Sequence, residues 1–132
     1  MKKIMVIASL TALMFLTGYD FYHEPQEPWM RKMHATAYKL HGKTYTGKHT
    51  HDGICATGRK EWLGYTAIVY QRLPNDHIGK IIGIYEIEDT GCKENVLDVW
   101  CTDIEECQEF MSAVYKDGCQ GKIYVEVIKA DG

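Results

Sequence analysis

Two stretches of the chain alternate in the manner of neighbouring β-strands. Side chains of residues 81–88 (IIGIYEIE) and 96–101 (VLDVWC) point in turn to opposite faces of a sheet. This period predicts that Asp89 lies on the same face as Ile87 and that Asp98 lies among apolar neighbours. Carboxylates are rare on packed strand faces because a charge loses its hydration there. Two such acids, separated by a short loop, therefore predict a functional site.

Each acid also has an ordinary structural interpretation. Asp89 begins the sequence Asp-Thr-Gly, which commonly ends a strand because Asp bonds its own backbone and Gly accepts positive φ. Asp98 could lie on an edge strand with its carboxylate in water. The functional interpretation requires that apolar surroundings raise the pKa of one carboxyl, so that it donates a proton near neutral pH.

The remaining segments predict a mainly β domain with one helix before the last strand. Four further strands are expected at residues 33–40, 54–56, 65–73 and 122–129. Residues 102–115 predict the helix, because Asp103 and Glu106 have the spacing of a capping box. Asp103 is therefore expected to cap the helix rather than to join the acidic site. The predicted apolar stripe of this helix consists of Ile104, Cys107, Met111, Val114 and Tyr115.

The beginning of the chain has the composition of an export signal. Two lysines precede an uncharged, mostly apolar run over residues 4–17, which suits a signal peptide better than a full membrane span. Residues 1–19 are predicted to be a signal peptide or an N-terminal membrane anchor, and residues 20–32 a linker. The domain would then be exported, either extracellular or associated with the cell envelope. The formal net charge of −3 argues against nucleic acid as a partner.

Five cysteines in an exported chain predict disulfide bonds. Several pairings are open, each leaving one thiol free. Proximity in sequence suggests Cys92 with Cys101 and Cys107 with Cys119, and leaves Cys55 free in an apolar strand.

One polar loop contains a candidate metal motif. His49 and His51, followed by Asp52, could bind a cation. No further ligand lies at a suitable spacing, so solvated loop histidines are expected instead. Neither a metal nor any other cofactor is predicted.

Several short motifs, taken in order, resemble the three-aspartate domain of bacterial cell-wall proteins. They are Ala35-Thr-Ala-Tyr38, Ile54-Cys-Ala56, Trp62-Leu-Gly64, Asp89-Thr-Gly91 and Leu97-Asp-Val-Trp100. The family includes the catalytic domain of membrane-bound lytic transglycosylase A and related Gram-positive stationary-phase and spore proteins. The resemblance covers residues 33–132 and implies a six-stranded double-psi β-barrel with one helix before the last strand. Thr57 stands where the family has its first aspartate.

The resemblance implies a peptidoglycan lytic transglycosylase that cleaves the MurNAc–GlcNAc β-1,4 bond to a 1,6-anhydro product. Asp98 and Asp89 would be the catalytic acids, and peptidoglycan glycan strands would be the partner. Implied substrate-binding residues are Thr90, Gly91, Lys93 and Trp100. Trp62, Tyr70 and Tyr85 offer further faces for sugar stacking, although most of these four aromatic residues are expected to belong to the core. Because the first aspartate is missing, the alternative is a non-catalytic cell-wall-binding or secreted interaction module on the same barrel.

Overall fold

The computed structural model describes residues 30–129, which form six strands and one α-helix. The strands are β1 (Met30–Tyr38), β2 (Ile54–Thr57), β3 (Thr66–Arg72), β4 (Ile78–Thr90), β5 (Val96–Trp100) and β6 (Lys122–Ile128), and the helix is α1 (Ile104–Tyr115). The predicted mainly β architecture, with one helix before the last strand, is confirmed. Strand β1 begins at Met30, earlier than predicted, so the end of the predicted linker is strand. The predicted signal, residues 1–19, lies outside the described residues.

The six strands belong to one sheet that closes on itself. Their order is β1-β5-β2-β4-β3-β6, and β6 pairs again with β1, so the sheet is a closed barrel. The pairs β1–β5 and β2–β4 are parallel, whereas the other four are antiparallel. Closure gives every strand two neighbours and leaves no free edge. The proposed alternative of an edge strand for Asp98 is therefore wrong, because β5 is paired on both sides.

The core is formed by alternate strand side chains together with one face of α1. Buried members include Cys55, Val69, Ile87, Leu97, Val99, Ile123 and Val125 from the strands and Phe110 and Val114 from the helix. Leu97 and Val99 point inward as the alternation of β5 predicts. In the helix, Ile104 and Tyr115 are 57% and 59% exposed, so the predicted stripe is wrong at both ends.

The start of α1 confirms the predicted cap. The Glu106 N–H donates to Asp103 Oδ1 at 2.9 Å, and the Glu106 carboxylate accepts from the Thr102 N–H. The first bond satisfies an N–H group of the first helical turn, and the second holds the residue that precedes the cap. Asp103 is thus occupied as an N-cap. Among residues 30–129, no helix is long and apolar enough to cross a membrane.

A bulge in β4 changes the direction of Asp89. In the parallel pairing of β2 with β4, Cys55 lies opposite Ile87 and Ala56 lies opposite Asp89, so Glu88 is an extra residue. Consecutive residues of β2 point to opposite faces, and their partners do the same. Asp89 therefore points away from the core face occupied by Ile87. The prediction that these two residues share a face is wrong.

All five cysteines are free thiols in the structure. Neither pairing suggested by sequence proximity, Cys92 with Cys101 or Cys107 with Cys119, is formed. The structure instead brings the Cys101 and Cys107 side chains into hydrogen-bonding contact where β5 leads into α1. Burial first, and then the neighbouring Cys107 thiol, raises the pKa of Cys101 to about 12. A thiol with a raised pKa reacts slowly because the thiolate is the nucleophile.

We expect oxidation of the purified protein to join Cys101 to Cys107 slowly. Closing this short loop should stabilise the fold by about 2 kcal/mol through the unfolded state. Peptide mapping by mass spectrometry after alkylation checks the pairing. Recovery of Cys101 and Cys107 as alkylated thiols, beside a bond involving Cys92 or Cys119, would contradict it.

Candidate active site

Both predicted catalytic acids lie in one row of paired residues across four strands. Ala56 in β2 pairs with Asp89 on one side and with Asp98 on the other. Thr36 in β1 continues the row as the partner of Asp98. Because paired residues point to the same face, all four side chains share the outer face of the sheet. Neighbouring strands are about 4.8 Å apart, so the two Asp Cα atoms lie about 10 Å apart with Ala56 between them.

This row forms the floor of a pocket of about 420 Å³. The lining residues are Thr36, Tyr38, Ala56, Asp89, Thr90, Gly91, Cys92, Lys93, Val96 and Asp98. The pocket therefore brings together both acids and three of the predicted substrate-binding residues. The small side chain of Ala56 leaves the space between the two carboxyls open.

Asp98 has the surroundings that a proton donor requires. Burial raises the pKa of its carboxyl above the usual range, and the charge of Asp89 raises it further. A hydrogen bond from Thr36 Oγ1 to Asp98 Oδ1, at 2.8 Å, acts in the opposite direction. The net direction is upward, so a larger fraction of Asp98 is protonated at a given pH than of an ordinary aspartate.

Asp89 is held by backbone donors. The N–H groups of Tyr45 and Thr90 donate to Asp89 Oδ1 at 3.0 and 2.9 Å. Two donors on one oxygen suit a carboxylate, because hydrogen bonds to a charged acceptor are the stronger ones. The two acids thus have different partners: Asp98 is half-buried beside a hydroxyl, whereas Asp89 accepts from two amides.

A loop that docks on β4 positions Asp89. The loop spans residues 43–49, and its ends form an isolated bridge between Lys43 and His49. Its anchor is Glu88, the extra residue of the bulge, which accepts from Thr46 Oγ1 at 2.7 Å and pairs with Lys48 Nζ at 3.1 Å. Burial opposes ionisation of Glu88, but the hydrogen bonds from Thr46 and Lys48 outweigh it and lower its pKa.

Glu88→Ala should release this loop. The substitution removes the carboxylate that accepts from Thr46 and pairs with Lys48, and the loss of these charge-assisted hydrogen bonds costs about 1–3 kcal/mol of unfolding free energy. Because the folded pKa of Glu88 is lowered, its contribution is present at neutral pH and disappears as the pH falls through that value. Urea denaturation at neutral and acidic pH, with hydrogen exchange of the Tyr45 amide, measures both effects.

The control for Glu88→Ala is Glu109→Ala, which removes an exposed carboxylate from the middle of α1. It should leave the stability and the Tyr45 exchange rate unchanged. Equal protection of the Tyr45 amide in wild type and Glu88→Ala would show that Glu88 does not anchor the loop.

Cys92 lines the pocket but is not an activated nucleophile. Burial, followed by the charges of Asp98 and Asp89, raises the pKa of its thiol to about 11. The side chain therefore stays protonated near neutral pH. The chemistry available in the pocket is proton transfer by a carboxyl.

None of the four aromatic residues expected to stack on sugars lines the pocket. Trp100 is buried and donates its indole N–H to the Leu40 carbonyl at 3.0 Å. The guanidinium groups of Arg31 and Arg59 both lie over the Trp62 ring, at 5.8 and 5.0 Å from its centroid. Tyr70 donates to Glu126, and Tyr85 packs edge-to-face on Phe110. These contacts are structural, as expected for most of the four, and Trp100 does not join Thr90, Gly91 and Lys93 in lining the pocket.

Two other candidate groups lie apart from the pocket. The Thr57 side chain is buried and exchanges hydrogen bonds with the Arg59 backbone, so it does not replace a pocket carboxylate. His51 Nδ1 lies 2.8 Å from the Asp52 carbonyl oxygen. Within residues 30–129, no group of three or more His, Cys, Asp or Glu side chains is arranged to hold a metal.

Thr36 and Ala56 were not predicted as individual members of the site. Both lie inside the motifs Ala35-Thr-Ala-Tyr38 and Ile54-Cys-Ala56, which carried the resemblance without assigned roles. Their place in the site follows from strand register, which puts Thr36 opposite Asp98 and Ala56 between the two acids. Comparison of the chain with protein-family models, curated proteins and solved structures found no match.

Proposed function

We propose that this domain is a lytic transglycosylase acting on peptidoglycan glycan strands, with Asp98 as the acid and base and Asp89 as its modulating neighbour. The observation that carries the proposal is the shared pocket, in which burial and Asp89 both raise the pKa of Asp98. An acid of this kind is required for protonation of a glycosidic oxygen near neutral pH. Thr90, Gly91 and Lys93 line the same pocket and would bind the glycan.

The fold proposed for this function is the double-psi barrel. Two parallel pairings, β1–β5 and β2–β4, within an otherwise antiparallel closed sheet support that assignment. Strand β2 lies between β4, to which it is parallel, and β5, to which it is antiparallel, so Asp89 and Asp98 lie on either side of Ala56. We further propose that residues 1–19 export the domain or anchor it in the membrane, which would place it beside its substrate.

The proposed reaction uses one carboxyl twice. Protonated Asp98 gives its proton to the oxygen between MurNAc and GlcNAc, and the bond from muramyl C1 to that oxygen breaks. The Asp98 carboxylate then takes the proton of the muramyl 6-hydroxyl as O6 bonds to C1. The products are a free GlcNAc 4-hydroxyl and a 1,6-anhydro end, Asp98 is again protonated, and no water is consumed. Negative charge at Asp89 would stabilise the positive charge that develops on the sugar.

The test is digestion of purified sacculi followed by mass spectrometry of the released muropeptides. Products with 1,6-anhydro ends, lighter by one water than the hydrolytic products, support the proposal. The absence of soluble muropeptides, or products with ordinary reducing ends, would reject it.

A non-catalytic cell-wall-binding module is the second candidate. Thr57 favours it, because the position of the family's first aspartate holds a buried hydroxyl bonded to the backbone. Such a module would retain the pocket but release nothing from sacculi. Sedimentation with insoluble peptidoglycan identifies it: binding without release favours the module, and the absence of both favours a secreted interaction domain.

A further inference from the structure

Tyr38 lines the same pocket as the two acids but takes no part in the proposed reaction. It follows Thr36 by two residues in β1, and Thr36 and Tyr38 pair with Asp98 and Trp100 in β5. Residues two apart in a strand point to the same face. Tyr38 therefore shares the outer face with Thr36, and it lines the pocket.

The hydroxyl of Tyr38 is buried and has no hydrogen-bond partner among residues 30–129. Other tyrosines of the barrel differ in this respect. Tyr70 donates to Glu126 at 2.8 Å, and Tyr124 donates to the Asp76 carbonyl at 2.6 Å. Buried hydroxyls are normally paired because an unpaired one is destabilising. The buried hydroxyl without a partner, that of Tyr38, thus belongs to a residue that lines the pocket.

The two acids do not supply the missing partner. Asp98 accepts from Thr36, and Asp89 accepts from the Tyr45 and Thr90 amides. Burial, and then the charges of Asp89 and Asp98, raise the pKa of Tyr38 above its usual range. The phenol is therefore a neutral O–H donor next to the acceptor carboxylate of Asp89.

We infer that Tyr38 is a specificity-determining residue that donates its hydroxyl to the carbonyl oxygen of an N-acetyl group on a sugar in the pocket. A ligand that satisfies both kinds of group must present an acceptor to Tyr38 and a donor to a carboxylate. An acetamido group carries both, a C=O and an N–H, on adjacent atoms. A sugar hydroxyl at the same carbon is also a donor and an acceptor, but both functions lie on one atom attached directly to the ring, whereas the acetamido carbonyl oxygen lies two bonds farther out. The inference rests on the proposed glycan substrate and names the part of it that is recognised.

Isothermal titration of wild type and Tyr38→Phe with two neutral tetrasaccharides tests this inference. One is the β-1,4 oligomer of N-acetylglucosamine, and the other is the β-1,4 oligomer of glucose, which lacks acetamido groups. Wild type should prefer the acetylated oligomer, and Tyr38→Phe should bind it about fivefold to tenfold more weakly, the effect of one lost hydrogen bond. Binding of the glucose oligomer should not change.

Thermal unfolding of the same variant separates this role from a structural one. Removal of an unpaired buried hydroxyl should leave the melting temperature unchanged or raise it. A lower melting temperature, or an equal loss of affinity for both oligomers, would overturn the inference. So would undiminished binding of the acetylated oligomer by Tyr38→Phe, or no binding by wild type.

The result of the lytic assay does not depend on the result of this binding experiment. Anhydro products from both wild type and Tyr38→Phe at equal kcat/KM would overturn the role of Tyr38 and leave the proposed function standing. Acetyl-dependent binding without lysis would reject the proposed lytic activity. Tyr38 would then be a specificity residue of a wall-binding module.

Discussion

Asp98→Asn should lower the rate of muropeptide release by about 10²–10⁴-fold, the usual contribution of a general acid. The amide keeps the shape of the side chain and can still accept from Thr36 Oγ1. It cannot donate a proton to the glycosidic oxygen and then recover one. The initial rate at which 1,6-anhydro muropeptides are released from sacculi gives the size of the loss.

The stability of Asp98→Asn separates catalysis from folding. A raised folded pKa means that charged Asp98 costs stability, and this cost grows as the pH rises through the pKa. The neutral amide avoids it, so the free energy of unfolding at neutral pH should be unchanged or higher. Asp103→Asn is the matched control, because asparagine caps a helix as well as aspartate does. Full activity in Asp98→Asn, or equal losses in both variants, would refute the assignment.

The pH profile assigns the role of Asp89. The charge of Asp89 contributes to the raised pKa of Asp98. An acid must be protonated, so activity falls as the pH rises through the pKa of Asp98. In Asp89→Asn, the alkaline limb of kcat/KM should therefore move to lower pH.

Ala56→Val should lower glycan binding about tenfold while the barrel stays folded, with a loss of about 1–3 kcal/mol of stability because Ala56 is nearly buried. Ala56 lies between Asp89 and Asp98 in the row of paired residues and lines the pocket. Valine suits a strand, and its two extra methyl groups would occupy the space between the carboxyls. Isothermal titration with the N-acetylglucosamine tetramer measures the loss, and thermal unfolding checks the fold.

Ala56→Gly is the opposite change at the same position. It should reduce stability by about 0.5–1 kcal/mol because glycine weakens a strand, but it leaves the pocket open. Ala56→Gly should then bind the glycan normally, whereas Ala56→Val should not. Normal binding by Ala56→Val would show that the glycan does not lie between the acids.

Local alternation was sufficient to predict the strands but not the direction of every side chain. All six strands were located from sequence, and the inward direction of Leu97 and Val99 follows from simple alternation. Asp89 was placed on the wrong face because the bulge at Glu88 depends on the pairing of β4 with β2. Register shifts of this kind depend on partners distant in sequence, which periodicity along one strand does not reveal.

The acids of the site were predictable because a carboxylate in an apolar strand is unusual. Their partners were not. The contact of Thr36 with Asp98 spans 62 positions, and that of the Tyr45 amide with Asp89 spans 44. Tryptophan and tyrosine serve the core as readily as a sugar site, which is why most of the four aromatic residues were expected in the core. Trp100 contributes to the fold through its bond to Leu40.

The proposed reaction differs from hydrolysis in the fate of water, and isotope labelling tests this difference directly. Sacculi would be digested in water enriched in oxygen-18, and the muropeptides analysed by mass spectrometry. Transglycosylation by Asp98 predicts 1,6-anhydro ends without oxygen-18, formed by wild type and lost in Asp98→Asn. Labelled reducing ends, or no release by wild type, would contradict it.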